Sequence, residues 1–125
     1  MTSALRTLVA AGEAPVRQVL TWLLEQDPRF VVVGSVGRGE EAAGWSGPIE
    51  AAVVDLAVPG LDAFATVRAL REHHRGVTVL IVATVDGPYF RAAASEAGAA
   101  GYVDRSRAEA NPVELLAALC LRPDA

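Results

Sequence analysis

The sequence predicts a doubly wound α/β domain built on a five-stranded parallel sheet, and three observations predict it. Apolar runs rich in β-branched residues alternate five times with segments of helical periodicity. The 125 residues, 52% apolar and 21% charged, suit one compact core. The run from Val77 to Ala83 is almost continuously apolar, as a strand covered by helices on both faces requires. Strands joined through helices within one domain imply right-handed crossovers and a parallel sheet.

Leu5 to Ala10 reads as the first strand. Val16, Val19, Leu20, Leu23 and Leu24 then recur at helical spacing until Asp27-Pro28 stops the helix. Phe30 to Val36 is the second strand, and Gly39 to Gly44 allows only a short helix. Gly47-Pro48 turns the chain into the third strand, Ile49 to Asp55, which ends on a carboxylate. After the Pro59-Gly60 turn, Asp62 caps a helix whose apolar stripe is Phe64, Val67, Ala69 and Leu70, with Gly76 as the expected stop. Val77 to Ala83 is the fourth strand, Tyr89 to Ala97 a small-residue helix ended by Gly98, and Ala100 to Val103 the fifth strand. Pro112 suits a first helical turn, and Val113, Leu115, Leu116, Leu119 and Cys120 form the last helix.

Composition excludes several functions. The net charge is −4 and no face is obviously basic, which argues against a grip on nucleic-acid phosphates. All 11 cationic side chains are arginine. The single cysteine, Cys120, rules out an internal disulfide and a multi-cysteine metal site, and its apolar setting predicts a buried, inert thiol. Neither a secretion signal nor a membrane span is indicated, so a cytoplasmic location is expected. No G-x-S-x-G, P-loop or G-x-G-x-x-G is present. Gly34-Ser35-Val36-Gly37-Arg38-Gly39 follows a strand but lacks the dinucleotide spacing, so no enzymatic activity is expected. His73 and His74 diverge around a helix and have no third histidine, which predicts a solvated helix end and no metal site. Trp22 is expected to face the core or the domain edge, whereas Trp45, in a Gly-rich segment, is open to an interaction role.

In a doubly wound sheet the working site lies beyond the carboxyl ends of the strands. Here those ends carry Ala11-Gly12-Glu13, Asp55, Ala83-Thr84 and Arg105.

Two segments, Val53-Val54-Asp55-Leu56-Ala57-Val58-Pro59-Gly60-Leu61-Asp62 and Ala97-Gly98-Ala99-Ala100-Gly101-Tyr102-Val103, resemble the receiver domains of two-component response regulators, particularly the NarL/FixJ type. Val31-Val32-Val33-Gly34 followed by Gly39-Glu40-Glu41-Ala42 adds a weaker match, and the resemblance covers nearly the whole chain. It implies a flavodoxin-like (CheY-like) sheet of strand order 2-1-3-4-5 and a single receiver domain over residues 1–125. It further implies a phosphoacceptor aspartate, two adjacent carboxylates holding Mg²⁺, a hydroxyl at the end of strand four, a lysine after strand five and an aromatic switch. Residue by residue, the acceptor position is Asp55 and the aromatic position Tyr102. The acidic pair falls on Ala11 and Gly12, the hydroxyl position on Ala83 with Thr84 beside it, and the lysine position on Arg105.

Mg²⁺ seeks near-octahedral oxygen ligands, so one carboxylate is a poor substitute for three, and weak or absent Mg²⁺ binding is expected. The sequence therefore reads as an atypical, degenerate receiver: a signalling and dimerisation module that regulates a transcription factor without conventional phosphorylation. Two alternatives stand beside it, a phosphorylatable receiver in which Glu13 substitutes as a metal ligand, and a small-molecule-sensing receiver. Asp55 is either an acceptor or a strand-terminal carboxylate satisfied by backbone N–H groups or Arg105. Arg105 itself either enters the vacated pocket to pair with Asp55 or is a solvated charge. Tyr102 is either a switch or a static aromatic. The implied partners are a second copy of the chain, a histidine kinase, and a carboxyl-terminal helix-turn-helix DNA-binding domain, towards which Arg122-Pro123-Asp124-Ala125 would be the linker. Direct DNA binding by this domain is not expected.

Overall fold

The computed structural model describes residues 3–107 and 109–121, so the linker assigned to the last four residues lies outside them. Five strands and five helices alternate: β1 (Leu5–Ala10), α1 (Ala14–Glu25), β2 (Phe30–Val36), α2 (Gly39–Ala43), β3 (Ala51–Asp55), α3 (Ala63–His73), β4 (Thr78–Ala83), α4 (Pro88–Ala97), β5 (Gly101–Asp104) and α5 (Pro112–Cys120). The strands form one sheet in the order β2-β1-β3-β4-β5, every neighbouring pair parallel.

Strand alternation sorts the core into two layers. Leu8, Ala52, Val54, Val79, Ile81 and Tyr102 face one way, against Ala63, Val67 and Leu70 of α3 and Ala94 and Ala97 of α4. Val9, Val53, Leu80 and Val82 face the other way, against Leu20 and Leu24 of α1 and Leu116 and Ala117 of α5. Because β3 and β4 are buried on both faces, both of their alternating sets are apolar.

The helix ends follow local chemistry. Asp62 accepts from the Ala65 N–H at 2.9 Å and Asn111 from the Glu114 N–H at 3.1 Å, each satisfying a first-turn donor. Pro88 and Pro112 occupy first turns, and Gly98 ends α4 with φ +102°. Three local expectations are corrected. α3 stops at His73, and Gly76, at φ +79°, belongs to the turn into β4. His74 is not merely solvated: its Nε2 donates to the Trp45 carbonyl at 2.9 Å, tying the end of α3 to the segment before β3. Trp22 is 59% exposed, because it stands two positions from both Leu20 and Leu24, about 200° round the helix from the face that meets the sheet. Cys120 is half-buried, and burial pushes its thiol above the ordinary value.

Trp45 packs on the core, its indole covering Gly34 so closely that a Cβ there would run into the ring. The register of β1 against β2 slips at this point, Thr7 opposing Val32 and Leu8 opposing Gly34, so Val33 is an extra residue. The bulge and the missing side chain together admit the flat indole. Among the described residues no helix is long and apolar enough to cross a membrane.

Candidate functional site

The strand ends converge at one edge of the sheet. Asp55 closes β3 at 7% exposure, and its Oδ1 accepts from the Ala57 N–H at 2.9 Å. At the end of β1, Ala11 is fully buried on the α1/α5 side and Gly12 is followed by Glu13, the exposed N-cap residue of α1, whose side chain caps nothing. Ala83 is buried at the end of β4, while Thr84 is exposed.

A further divergence from a metal pocket lies in the loop after β3. A Cβ at Gly12 would stand 2.5 Å from Pro59 Cδ and 3.0 Å from Cγ, so the proline ring fills the space that a side chain there would enter. With a methyl at Ala11, a proline over Gly12 and Asp55 as the one buried carboxylate among the described residues, the residues present do not make the oxygen-rich site that Mg²⁺ requires. Among the described residues no group of three His, Cys, Asp or Glu could hold a metal ion.

At the end of β1 the charged group is a guanidinium. Arg17 Nη1 donates to the Ala11 carbonyl at 2.7 Å and reaches the Gly12 carbonyl at 3.4 Å, and its tip also lies against Gly37 in the β2–α2 turn. Sequence reasoning missed Arg17. The signal was there: the first turn of α1 holds no acid, although acids suit a helix N-terminus, and it is followed at once by an arginine.

The proposed pairing of Arg105 with Asp55 is not formed. The ion pairs among the described residues do not include it. The Arg105 N–H donates to the Ala83 carbonyl at 2.7 Å, which continues the β4–β5 ladder, and β4 therefore stands between the two side chains. Two strand spacings are about 9.5 Å, and the Arg105 side chain lies on the α1/α5 side among Val16, Leu20 and Pro112.

Tyr102 is 8% exposed in the α3/α4 layer, and its hydroxyl donates to the Val85 carbonyl at 2.7 Å. The Arg91 guanidinium sits 5.1 Å from the ring centroid while pairing with both oxygens of Asp86 at 2.7 and 3.0 Å. Burial raises the Tyr102 hydroxyl above its ordinary value, and the Arg91 hydrogen bonds hold the Asp86 carboxyl below its own. Outside this ion pair Tyr89 projects into solvent, 73% exposed.

On the other flank Glu40 fastens the loop after β3. Its carboxylate accepts from Arg38 Nε at 2.6 Å and from the Leu61 N–H at 3.1 Å, and these bonds lower its pKa to about 2. A carboxyl depressed from 4.5 to about 2 stabilises the fold above its unfolded value and loses that contribution as the pH falls through the folded one. The stability gap between the wild type and Glu40→Gln is therefore expected to shrink between about pH 4.5 and pH 2, in urea titrations at stepped pH. A gap independent of pH would remove this anchor.

A doubly wound 2-1-3-4-5 sheet with a buried aspartate at the end of its central strand defines the class, a receiver domain of the two-component response regulators. Similarity to known proteins agrees. The chain is 31% identical over 104 residues to the protein-glutamate methylesterase/protein-glutamine glutaminase of group 2 operon from Rhodospirillum centenum, covering 80% of this chain and 26% of that relative. It thus spans about a quarter of that relative's length. A two-component response regulator of the LuxR family from Aurantimonas is 28% identical with TM-score 0.86, covering 94% of this chain and 86% of the other. The signal receiver domain of the response regulator NarL from Mycobacterium tuberculosis superposes with TM-score 0.88 at 21% identity, over 98% of this chain and 100% of the other, a likeness of fold. Comparison with protein-family models finds no match.

Proposed function

We propose that this receiver is an atypical one of the NarL/FixJ type, a non-enzymatic cytoplasmic module that signals by protein association and not by Mg²⁺-dependent phosphoryl transfer. The observation that carries the reading is the proline ring at 2.5 Å from the Cβ position of Gly12, where the resemblance requires a metal-binding acid. Ala11 and Ala83 support it, since a methyl neither binds a cation nor donates to a phosphoryl oxygen. Arg17 supplies a fixed positive charge to the β1 carbonyls, and Asp55 keeps a backbone donor of its own. In this reading Asp55 is a retained strand-terminal carboxylate, and Tyr102, bonded to Val85 and covered by Arg91, is held inward irrespective of phosphate.

The partners are a second copy of the chain and a DNA-binding effector domain, fused or separate. A receiver that phosphate does not switch reaches its working arrangement by concentration or by another ligand. Intact-mass measurement after incubation with acetyl phosphate and Mg²⁺, or with a histidine kinase and ATP, is expected to show no phosphoryl adduct. Sedimentation at several concentrations is expected to show a dimer whose formation Asp55→Asn leaves unchanged. A Mg²⁺-dependent adduct on Asp55 would overturn the reading in favour of a phosphorylatable receiver.

A further inference from the structure

Between α1 and α5 the surface opens into a groove of about 360 Å³, within the range of small-molecule sites. Val16, Val19, Leu20 and Leu23 of α1 and Pro112 of α5 give it apolar walls, and among the described residues no acid lines it. Among the described residues Arg105 is its one charged group, and the Arg105 Nε is buried without a hydrogen-bond partner. This sets Arg105 apart from Arg6, Arg29, Arg38 and Arg91, each of which holds a carboxylate. A buried donor without an acceptor is unfavourable, and a guanidinium meets a carboxylate best, through two parallel N–H bonds.

We propose that the α1/α5 groove binds a small amphipathic carboxylate, its apolar body against α1 and its carboxylate on Arg105. The occupant follows from the lining. A neutral hydrocarbon would leave the Arg105 guanidinium without a counter-charge, and a sugar or polyol would find almost no polar partner on the walls. The first turns of both flanking helices, at Pro15 and Pro112, open on the same groove, and the positive ends of their dipoles also favour an anion. The groove lies at the carboxyl edge of the sheet, where β5 gives way to Arg105 and β1 leads into α1. That edge is where ligands of doubly wound folds collect. A ligand spanning it would fasten α5 to α1. The site is independent of whether Asp55 accepts phosphate, since none of its lining belongs to β3 or the loop after it.

Decanoate is a suitable probe, with 1-decanol as the uncharged match. In amide-shift titrations of the full chain near neutral pH, decanoate is expected to give saturable shifts confined to the first half of α1, Arg105 and the start of α5. It should bind about tenfold or more tightly than 1-decanol, the margin expected for a charge-assisted pair. Arg105→Gln should remove that margin while leaving 1-decanol unaffected. Val19→Asp, at a position 56% exposed and so harmless to folding, places a competing carboxylate in the groove and should suppress decanoate binding. Equal affinities for the two probes, a margin that survives Arg105→Gln, shifts centred elsewhere, or a dimer that covers the groove and excludes decanoate would each overturn the proposal.

Discussion

Gly12→Asp is expected to weaken the fold and not to create a metal site. The new Cβ meets the Pro59 ring, whose Cδ is 2.5 Å from the place it must occupy, so the loop after β3 has to move. Overpacking against a rigid ring typically costs about 1–3 kcal/mol. The added carboxylate also arrives beside the Arg17 guanidinium, already bonded to the Ala11 carbonyl at 2.7 Å, which competes with any divalent ion for it. Urea unfolding should therefore show a lower midpoint that millimolar Mg²⁺ does not restore. In a Pro59→Ala background the same substitution should be close to neutral, since the clash is then gone. Restoration of stability by Mg²⁺ in Gly12→Asp alone would show that the loop opens readily, and would remove the main support for a metal-independent receiver.

A second large effect is expected where Trp45 covers Gly34. Trp45→Ala takes a large, partly buried aromatic from the α3/α4 layer and should cost about 3 kcal/mol. Gly34→Ala should cost about 1–3 kcal/mol for the opposite reason, because its methyl group runs into the indole. The two losses should not add. Once the ring is gone, alanine at position 34 has room, and replacing a strand glycine then removes backbone freedom from the unfolded chain, which favours folding by roughly 0.5–1 kcal/mol. Urea midpoints of the two single variants and the double variant measure the coupling. Simple additivity would mean that the indole rests on Gly34 without constraining it.

Much of this molecule is decided locally, and that part was legible in the sequence. β1 and β2 lie where their apolar runs place them. Asp62 caps a helix because a short polar side chain ahead of a helical stripe has a free N–H to accept from. The order 2-1-3-4-5 was legible only through resemblance, because periodicity identifies strands without ordering them. The candidate site divides in the same way. Which residues stand at the strand ends, Asp55, Ala11, Gly12, Ala83 and Arg105 among them, follows from counting along predicted strands. What those residues touch does not follow from counting.

Three outcomes were decided in the tertiary structure. Arg105 and Asp55 both end strands at one edge of the sheet, yet β4 lies between them and the Arg105 stem finds apolar cover on α1, so the expected pair does not form. Trp22 leaves the core and Trp45 joins it, because helix rotation turns one to solvent while a bulge and a glycine on β2 open a seat for the other. Arg17, from the start of α1, and Pro59, from the loop after β3, converge on the end of β1. The physical reason is common to all three: sequence periodicity sets the side of an element on which a residue lies, whereas the contact it makes depends on which distant segment arrives there first. The sequence by itself determined the class of fold and that Ala11 and Gly12 stand where the resemblance places an acidic pair. Only the packed structure decided what those two residues touch.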